Sequence, residues 1–326
     1  MSIDTRPAVA QPSGNPPPAD APGRRGRKSA KLEKTAGIVS ETDWQSPRVR
    51  RRLGIVHGIM LFLLLLWGLV PLIWLAKAAV TPTQETLRHP INVWPRHFAF
   101  ANISTAWTTV RLGVYFKNTI VIALGSWLAQ LVVATTAGYG LSVLKPKYAK
   151  VLNALVVSTL FIPAVVLLVP LYLTVIKVPF VHWRLIDSYW AIWLPAGANA
   201  FNVLLIKRFF DSLPRELFEA ARVDGAGPFR LFWSIVLPLS RPILGVVSVF
   251  AFIAAWKDFL WPLLVLSSNV VDKQPLSVRL PALAPTVDLG VLMAALFIST
   301  LLPIVLFIIF QRVFLRSSGL SGAIKG

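Results

Sequence analysis

From residue 54 onward the chain alternates long apolar runs with short polar stretches. Six runs stand out, at roughly 54–79, 115–144, 151–176, 188–210, 243–266 and 289–314. Each is close to the ~20 residues a helix needs to cross ~30 Å of hydrocarbon, which predicts an all-α polytopic membrane protein. The second run is long enough to tilt or to include an interfacial turn. Pro163 and Pro170 interrupt the third run and Pro195 the fourth. Interior prolines free backbone carbonyls, which in lipid must be met by neighbouring protein or a lined cavity. The crossings are therefore expected to pack as a bundle around a pathway.

The polar stretch 211–241 between the fourth and fifth runs has a pattern of its own. It contains "ELFEAARVDGAGPFRLFWSIVLPL", Glu216 to Leu239. Ser212 can cap a helix start, with Pro214 in its first turn and Glu216 and Glu219 near its positive end. Leu217, Ala220 and Ala221 then fall near one face, with Glu219 and Arg222 at its edges. Asp224-Gly225 is a stop signal, because glycine adopts the left-handed conformation that ends helices. Gly227-Pro228 restarts a second short helix, Phe229 to Val236, with Phe229, Phe232, Trp233 and Val236 as an apolar stripe. Leu237-Pro238 is expected to break it. A small Ala-Ala face beside an acidic residue lets another protein approach closely. The same residues also fit an ordinary interfacial helix lying on the inner leaflet.

Composition supports the membrane reading. Of 326 residues 55% are hydrophobic and 14% charged, where a soluble domain carries nearer a quarter charged. Cysteine is absent, so disulfides and thiolate zinc sites are unavailable. His57, His89, His97 and His182 are too scattered for a metal site. The net charge of +19 raises the question of nucleic acid, and its distribution answers it. Arg48, Arg50, Arg51 and Arg52 abut the first crossing, where basic residues set orientation and meet anionic membrane lipid. Residues 1–50 read as a disordered basic cytoplasmic tail, with residues 51–326 forming the transmembrane domain. The first apolar run begins too late for a cleaved signal peptide. With both termini in the cytoplasm, 23 of the 33 lysines and arginines fall in the tail, the 145–150 loop, the 207–241 segment and the C-terminus. That excess favours N-in, C-in.

In the fifth run stand Trp256, Lys257, Asp258 and Trp261. Lys257 is ~21 Å along a helix begun at Ile243, at 1.5 Å per residue. A charge at that depth is costly and usually faces a cavity or partner. One reading is a sugar site, in which a tryptophan ring offers a face and Asp258 accepts hydroxyl bonds. The other is a snorkelling lysine with an interfacial tryptophan belt. Neither is excluded by the residues alone.

The loop also resembles a known family. Glu219-Ala220-Ala221, three residues, Gly225, nine residues, Ile235, one residue and Leu237-Pro238 are similar to the EAA loop of bacterial ABC importer permeases. The resemblance extends over roughly residues 110–326. "FIPAVVLLVPLYL", "AFIAAWKDFLWPLLVL" and the terminal "GLSGAIKG" are similar to the smaller, six-span partner of maltose-type permease heterodimers. This implies the type I ABC importer permease fold of six transmembrane helices with a cytoplasmic coupling helix. It implies transport of a carbohydrate across the bacterial cytoplasmic membrane by alternating access. Glu219, Ala220, Ala221, Gly225, Ile235, Leu237 and Pro238 would couple the chain to a dimer of separate ATP-binding subunits. A second permease subunit and an external solute-binding protein would be the other partners. No Gly-x-x-x-x-Gly-Lys-Ser/Thr phosphate loop occurs in the sequence, so ATP-Mg is expected on the partner and no cofactor on this chain. The terminal "GLSGAIKG" would also reach the ATPase. In the maltose-type relatives most sugar contacts come from the partner subunit, and the family often has Asn where Lys257 stands. A non-sugar importer, a stand-alone secondary transporter and an intramembrane enzyme are the other readings. The last two would need buried coupling-ion sites or paired catalytic groups, and Asp258 is the one clear buried acid.

Overall fold

The computed structural model describes residues 47–319. Most of the basic tail, and all of the terminal "GLSGAIKG" but its first glycine, lie outside the described residues. Two compact units divide at Leu69 and Val70. The described part of the first is the stretch 47–69 of one helix, basic as far as Arg52 and apolar beyond it, with nearly all large side chains of 53–69 exposed. The second unit, from Val70, carries the rest.

All regular structure among the described residues is helical. In chain order the helices are α1 (Pro47–Ala79), α2 (Thr83–Arg88), α3 (Ala101–Thr108) and α4 (Leu112–Leu144, with a π-helical last turn). Next come α5 (Ala149–Thr159), α6 (Ala164–Ile176), α7 (Trp190–Gly197) and α8 (Ala200–Asp211). The 211–241 loop contributes α9 (Arg215–Val223) and α10 (Pro228–Leu239). After it follow α11 (Arg241–Lys257), α12 (Leu260–Val265), α13 (Leu276–Leu283) and α14 (Leu289–Gly319).

The six predicted crossings are all helical, but only α1, α4 and α14 are continuous. By length and composition those three can cross a membrane, or five crossings result if each of two bent pairs counts as one. The run 151–176 is not a single rod: α5 and α6 meet at 103° across Leu160–Pro163. Pro163 is extended (φ −59°, ψ 129°) and precedes α6, whereas Pro170 sits in the first turn of its α-helical part, Leu168–Ile176, where its missing N–H costs little. The run 188–210 divides at Ala198–Asn199, just past Pro195. The run 243–266 divides at Asp258, where ψ of 122° leaves the helical region.

Helix α4 is the post of the second unit, packing against α7, α8 and α11. Two glycines admit its neighbours. A Cβ on Gly125 would overlap the Trp193 indole, and one on Gly138 would stand 3.0 Å from Ile206 Cγ2 and 3.2 Å from the Lys207 backbone nitrogen. Small residues let helices approach where lipid supplies no hydrophobic drive between them. Core packing then splits into patches along α4. One at its C-terminal end includes Tyr139, Phe210, Phe218 and Val236, and one at its N-terminal end includes Leu112, Tyr115, Leu276 and Ala294. A third gathers Ile122, Ile192, Trp261 and Val265.

Candidate functional site

At the C-terminal end of α4 the 211–241 loop folds back as two short helices. Ser212 does not cap α9; it closes α8, its Oγ donating to the Phe209 carbonyl at 2.7 Å. Pro214, extended at ψ 130°, takes the position before α9. Phe218 and Ala221 point into the core, whereas Leu217 is 42% exposed. The buried face is thus rotated by one residue from the sequence expectation, because the larger Phe218 ring joins the patch around Phe210. Ala221 therefore gives close approach to the chain's own bundle. Ala220 remains outward with Glu216, Glu219 and Val223.

Helix α9 ends as expected at Gly225, which has φ +74°. Gly225 N–H donates to Arg222 O (3.0 Å) and Ala226 N–H to Ala221 O (2.8 Å). That pair of bonds is the Schellman closure, which satisfies carbonyls the helix leaves open. Nothing lies within 4 Å of a Cβ built there, so the backbone angle rather than space demands glycine.

Helix α10 starts with Pro228, whose carbonyl accepts from Tyr139 Oη at 2.9 Å. Leu231, Phe232 and Val236 are buried, but Phe229 (83% exposed) and Trp233 (66%) are not, so the predicted stripe is split. A π-helical turn, Phe232–Val236, shifts the register that a regular helix would have kept. Ile235 and Leu237 pack half-buried on the core, and Pro238 is exposed. The break falls at Ser240 rather than at Leu237-Pro238, because Pro238 occupies the first turn of the last segment. Beyond it α11 leaves at 78°.

Between α9, the last turn of α4 and the end of α8 lies a polar cleft of about 530 Å³. Asp211 accepts from Ser142 Oγ and from Lys207 Nζ, both at 2.7 Å. Burial pushes its carboxyl up, but those two bonds and the charges of Lys207 and Lys145 outweigh burial and hold it below the usual aspartate range. Lys145, Arg215, Glu219 and Arg222 line the same cleft. Glu219 has no ion pair among the described residues.

A second cavity, of about 420 Å³, lies between α4, α6 and the two broken crossings. Lys257, Asp258 and Trp261 line it. Trp256 does not; its ring meets Phe116 edge-on (5.8 Å) and stacks on Phe252 (6.0 Å). Trp261 is buried and its Nε1 donates to Ala191 O at 2.9 Å, which fastens α12 to α7. Lys257 and Asp258 form no ion pair with each other.

Residues 122–318, spanning this loop and both sides of the cavity, match the family described as binding-protein-dependent transport system inner membrane component. The chain belongs to this family. It is 32% identical over 276 residues to the sn-glycerol-3-phosphate transport system permease protein UgpE of Yersinia pestis, covering 82% of this chain and 96% of that protein. It is 29% identical over 272 residues to the diacetylchitobiose uptake system permease protein NgcG of Streptomyces coelicolor, covering 81% and 86%. Over 278 residues it is 29% identical to the lactose transport system permease protein LacG of Rhizobium radiobacter, covering 85% and 98%. Its fold matches a chain of a bacterial ABC transporter involved in the import of the acidic polysaccharide alginate. That match has a TM-score of 0.71 at 22% identity over 82% of this chain and 98% of that one. The type I ABC permease fold expected from the EAA loop is thus the fold of this membrane protein.

This permease component carries site residues that the sequence pattern does not single out. Ser126, Gln130 and Asn199 line the 420 Å³ cavity beside Lys257 and Asp258. A signal is present for two of them: Ser126 and Gln130 stand four apart in the otherwise apolar stretch 120–134, on one helix face. For Asp211 the sequence offers Lys207 four residues before it, but not Ser142, which is 69 residues away.

Proposed function

We propose that this permease imports a carbohydrate, with α9 as the element that receives mechanical work from a separate ATP-binding subunit. The observation that carries the reading is the geometry of the loop. Phe218 and Ala221 anchor α9 on its inner side, Gly225 turns the chain, and Glu216, Glu219, Ala220 and Val223 face outward unburied. Such a knob fits a socket on another protein, with Glu219 available to pair with a basic group there. Closure of an ATP-bound subunit dimer would pull α9 and, through Ile235 and Leu237 packed beneath it, rock the bundle between inward- and outward-facing states. ATP-Mg belongs to that partner, and this chain needs no cofactor of its own. A second permease subunit completes the pathway and an external binding protein delivers the solute. The lysine and arginine distribution supports an orientation with the loop and both termini in the bacterial cytoplasm.

The names of the lactose and diacetylchitobiose relatives support a sugar. The sn-glycerol-3-phosphate relatives favour a second reading, a small phosphorylated solute. The test is uptake by the assembled complex in proteoliposomes. Uptake is expected to require ATP on the loop side and the binding protein on the other, and to stop when Glu219 and Gly225 are both replaced by bulky residues. Uptake driven by a proton gradient alone, or full-speed pumping by the double variant, overturns the reading.

A further inference from the structure

We propose that α10 lies in the headgroup layer of the membrane leaflet on the loop side, with Phe229 and Trp233 in phospholipid and Arg230 on its phosphates. This goes beyond the import reading. Helix α9 keeps the face offered to another protein, and the next helix takes a different partner, a lipid surface.

Depth is the first argument. Helix α4 runs for 33 residues, Leu112 to Leu144, with Leu128 at its midpoint. Tyr139 is ~16 Å further along at 1.5 Å per residue. With α4 centred in the bilayer, that is the edge of a hydrocarbon core ~30 Å thick. There Tyr139 Oη donates to Pro228 O at 2.9 Å, and its ring meets Phe232 with centroids 5.0 Å apart. Both contacts pin the start of α10 at headgroup level, where tryptophan and tyrosine concentrate.

Direction is the second argument. Helices α10 and α11 meet at 78°. Crossing helices tilt on average ~20° from the bilayer normal, so a neighbour at nearly a right angle to α11 runs close to the membrane plane. At 1.5 Å per residue α10 is ~18 Å long, too short to cross by itself.

The third argument is how its side chains are sorted. Leu231, Phe232 and Val236 are buried in the patch that holds Tyr139 and Phe210. Phe229 and Trp233, four apart, form an exposed aromatic edge, and Arg230 and Ser234 form an exposed polar edge beside it. A helix between bundle and water alone has no use for two open aromatic rings. One lying between bundle, lipid and water uses all three sectors. Charge agrees. No acidic residue occurs between Gly225 and Lys257, and Arg230 and Arg241 stand at the two ends of α10. Neither arginine has an ion pair among the described residues. Basic side chains at this depth are drawn to the leaflet surface. The outward residues of α9 include Glu216 and Glu219, which a phosphate layer would repel. Of the loop's two helices it is therefore α10 that suits a leaflet. Held at one level by lipid, it would turn a pull on α9 into a tilt of α11.

The experiment is nitroxide labelling of the whole complex in nanodiscs of phosphatidylglycerol and phosphatidylethanolamine. This chain has no cysteine, so Phe229→Cys, Trp233→Cys and Ser234→Cys each give it a single thiol. The complex with the native chain, treated alike, is the blank. Collisions with oxygen report lipid, and collisions with a nickel chelate report water. The ratio of oxygen to nickel collisions is expected to be at least fivefold higher at 229 and 233 than at 234. With Arg230→Glu added, nickel collisions at 233 should at least double. Equal ratios at 233 and 234 would put the aromatic edge in water, and exclusion of both reagents at 229 and 233 would put it under another protein. Either result overturns the lipid contact, and unchanged collisions with Arg230→Glu overturn the phosphate contact. Trp233→Ser should lower the solute imported per ATP hydrolysed several-fold, whereas Trp233→Tyr stays within twofold of the native chain. Equal effects of those two variants overturn the anchoring role. ATP-dependent uptake by the native complex decides the importer reading separately from every one of these outcomes.

Discussion

Both ends of α4 carry side-chain hydrogen bonds, but the connections packed beside them differ in how far their own polar groups are tied down. At the Leu112 end, the connection 267–276 is sewn to its neighbours by buried side chains. Asn118 Nδ2 donates to the carbonyls of Asp272 (2.6 Å) and Gln274 (3.0 Å), and its Oδ1 accepts from Tyr189 Oη at 3.0 Å. Thr119 Oγ1 accepts from Leu276 N–H, and Asp187 Oδ1 from Ser267 N–H. Arg111 and Asp272 add an exposed ion pair at 3.0 Å. At the Leu144 end, the side chains of Glu216, Glu219 and Arg215 make no hydrogen bond or ion pair among the described residues, and α9 holds to the bundle mainly through Phe218 and Ala221. One end satisfies itself and becomes a fixed platform. The other leaves charged groups outward, as a surface must if another molecule is to grip it. In the proposed orientation the fixed end faces outward and the open end meets the ATPase.

The contrast can be broken most strongly at Asn118. Asn118→Leu removes three hydrogen bonds and leaves the carbonyl of buried Gln274 and the part-buried one of Asp272 without this partner, a loss of about 2–3 kcal/mol for groups of this kind. Thermal unfolding should shift down accordingly, and limited proteolysis should open first within 267–276. An unchanged melting temperature would mean that the platform is held by apolar packing instead.

A smaller effect is expected at Gly225, and it should fall on coupling rather than on folding. Left-handed backbone costs an L-residue ~1–2 kcal/mol, and asparagine tolerates it best. Gly225→Val should therefore cut ATP-driven uptake by about tenfold, while Gly225→Asn stays within about threefold of the native chain. Equal loss in both variants would point to a need for space rather than for the turn.

The smallest effect concerns Glu85, beside the fixed end. Its carboxylate accepts from Arg96 N–H (2.6 Å) and His97 N–H (3.2 Å). The Arg96 bond holds its pKa below the ordinary glutamate value of 4.5, burial opposes it, and the His97 contacts assist. A carboxyl with a depressed folded pKa stabilises fully above its unfolded value and loses that contribution as pH falls through the folded one. The 89–100 connection should thus loosen as pH drops below 4.5, seen as faster exchange of the Arg96 and His97 amides after correction for intrinsic rates. Glu85→Gln should remove that pH dependence.

Much of this architecture is legible in the amino-acid sequence alone. Apolar runs of membrane length read directly as helices, because lipid leaves a crossing segment no other way to satisfy its backbone. Gly225 reads as a stop because only its φ matters, and the spaced loop pattern points to the family that residues 122–318 match. The short helices α2, α3 and α13 are not legible, since eight or fewer residues carry little periodicity. Nor is the face of α9, which depends on whether Leu217 or Phe218 finds a pocket.

The sequence by itself therefore determined that this chain is helical and apolar enough to cross a membrane repeatedly, and that the loop 211–241 has a glycine-terminated helix of its own. Hydrophobic length and glycine geometry are local properties that need no partner to be expressed. Only the tertiary structure decided which polar side chains share a space. Ser126, Asn199 and Asp258 are up to 132 positions apart and meet because two helices break beside α4. It also decided that Trp256 turns to Phe116 while its neighbour Lys257 lines the cavity, since adjacent helical residues point ~100° apart and only packing chooses between the directions.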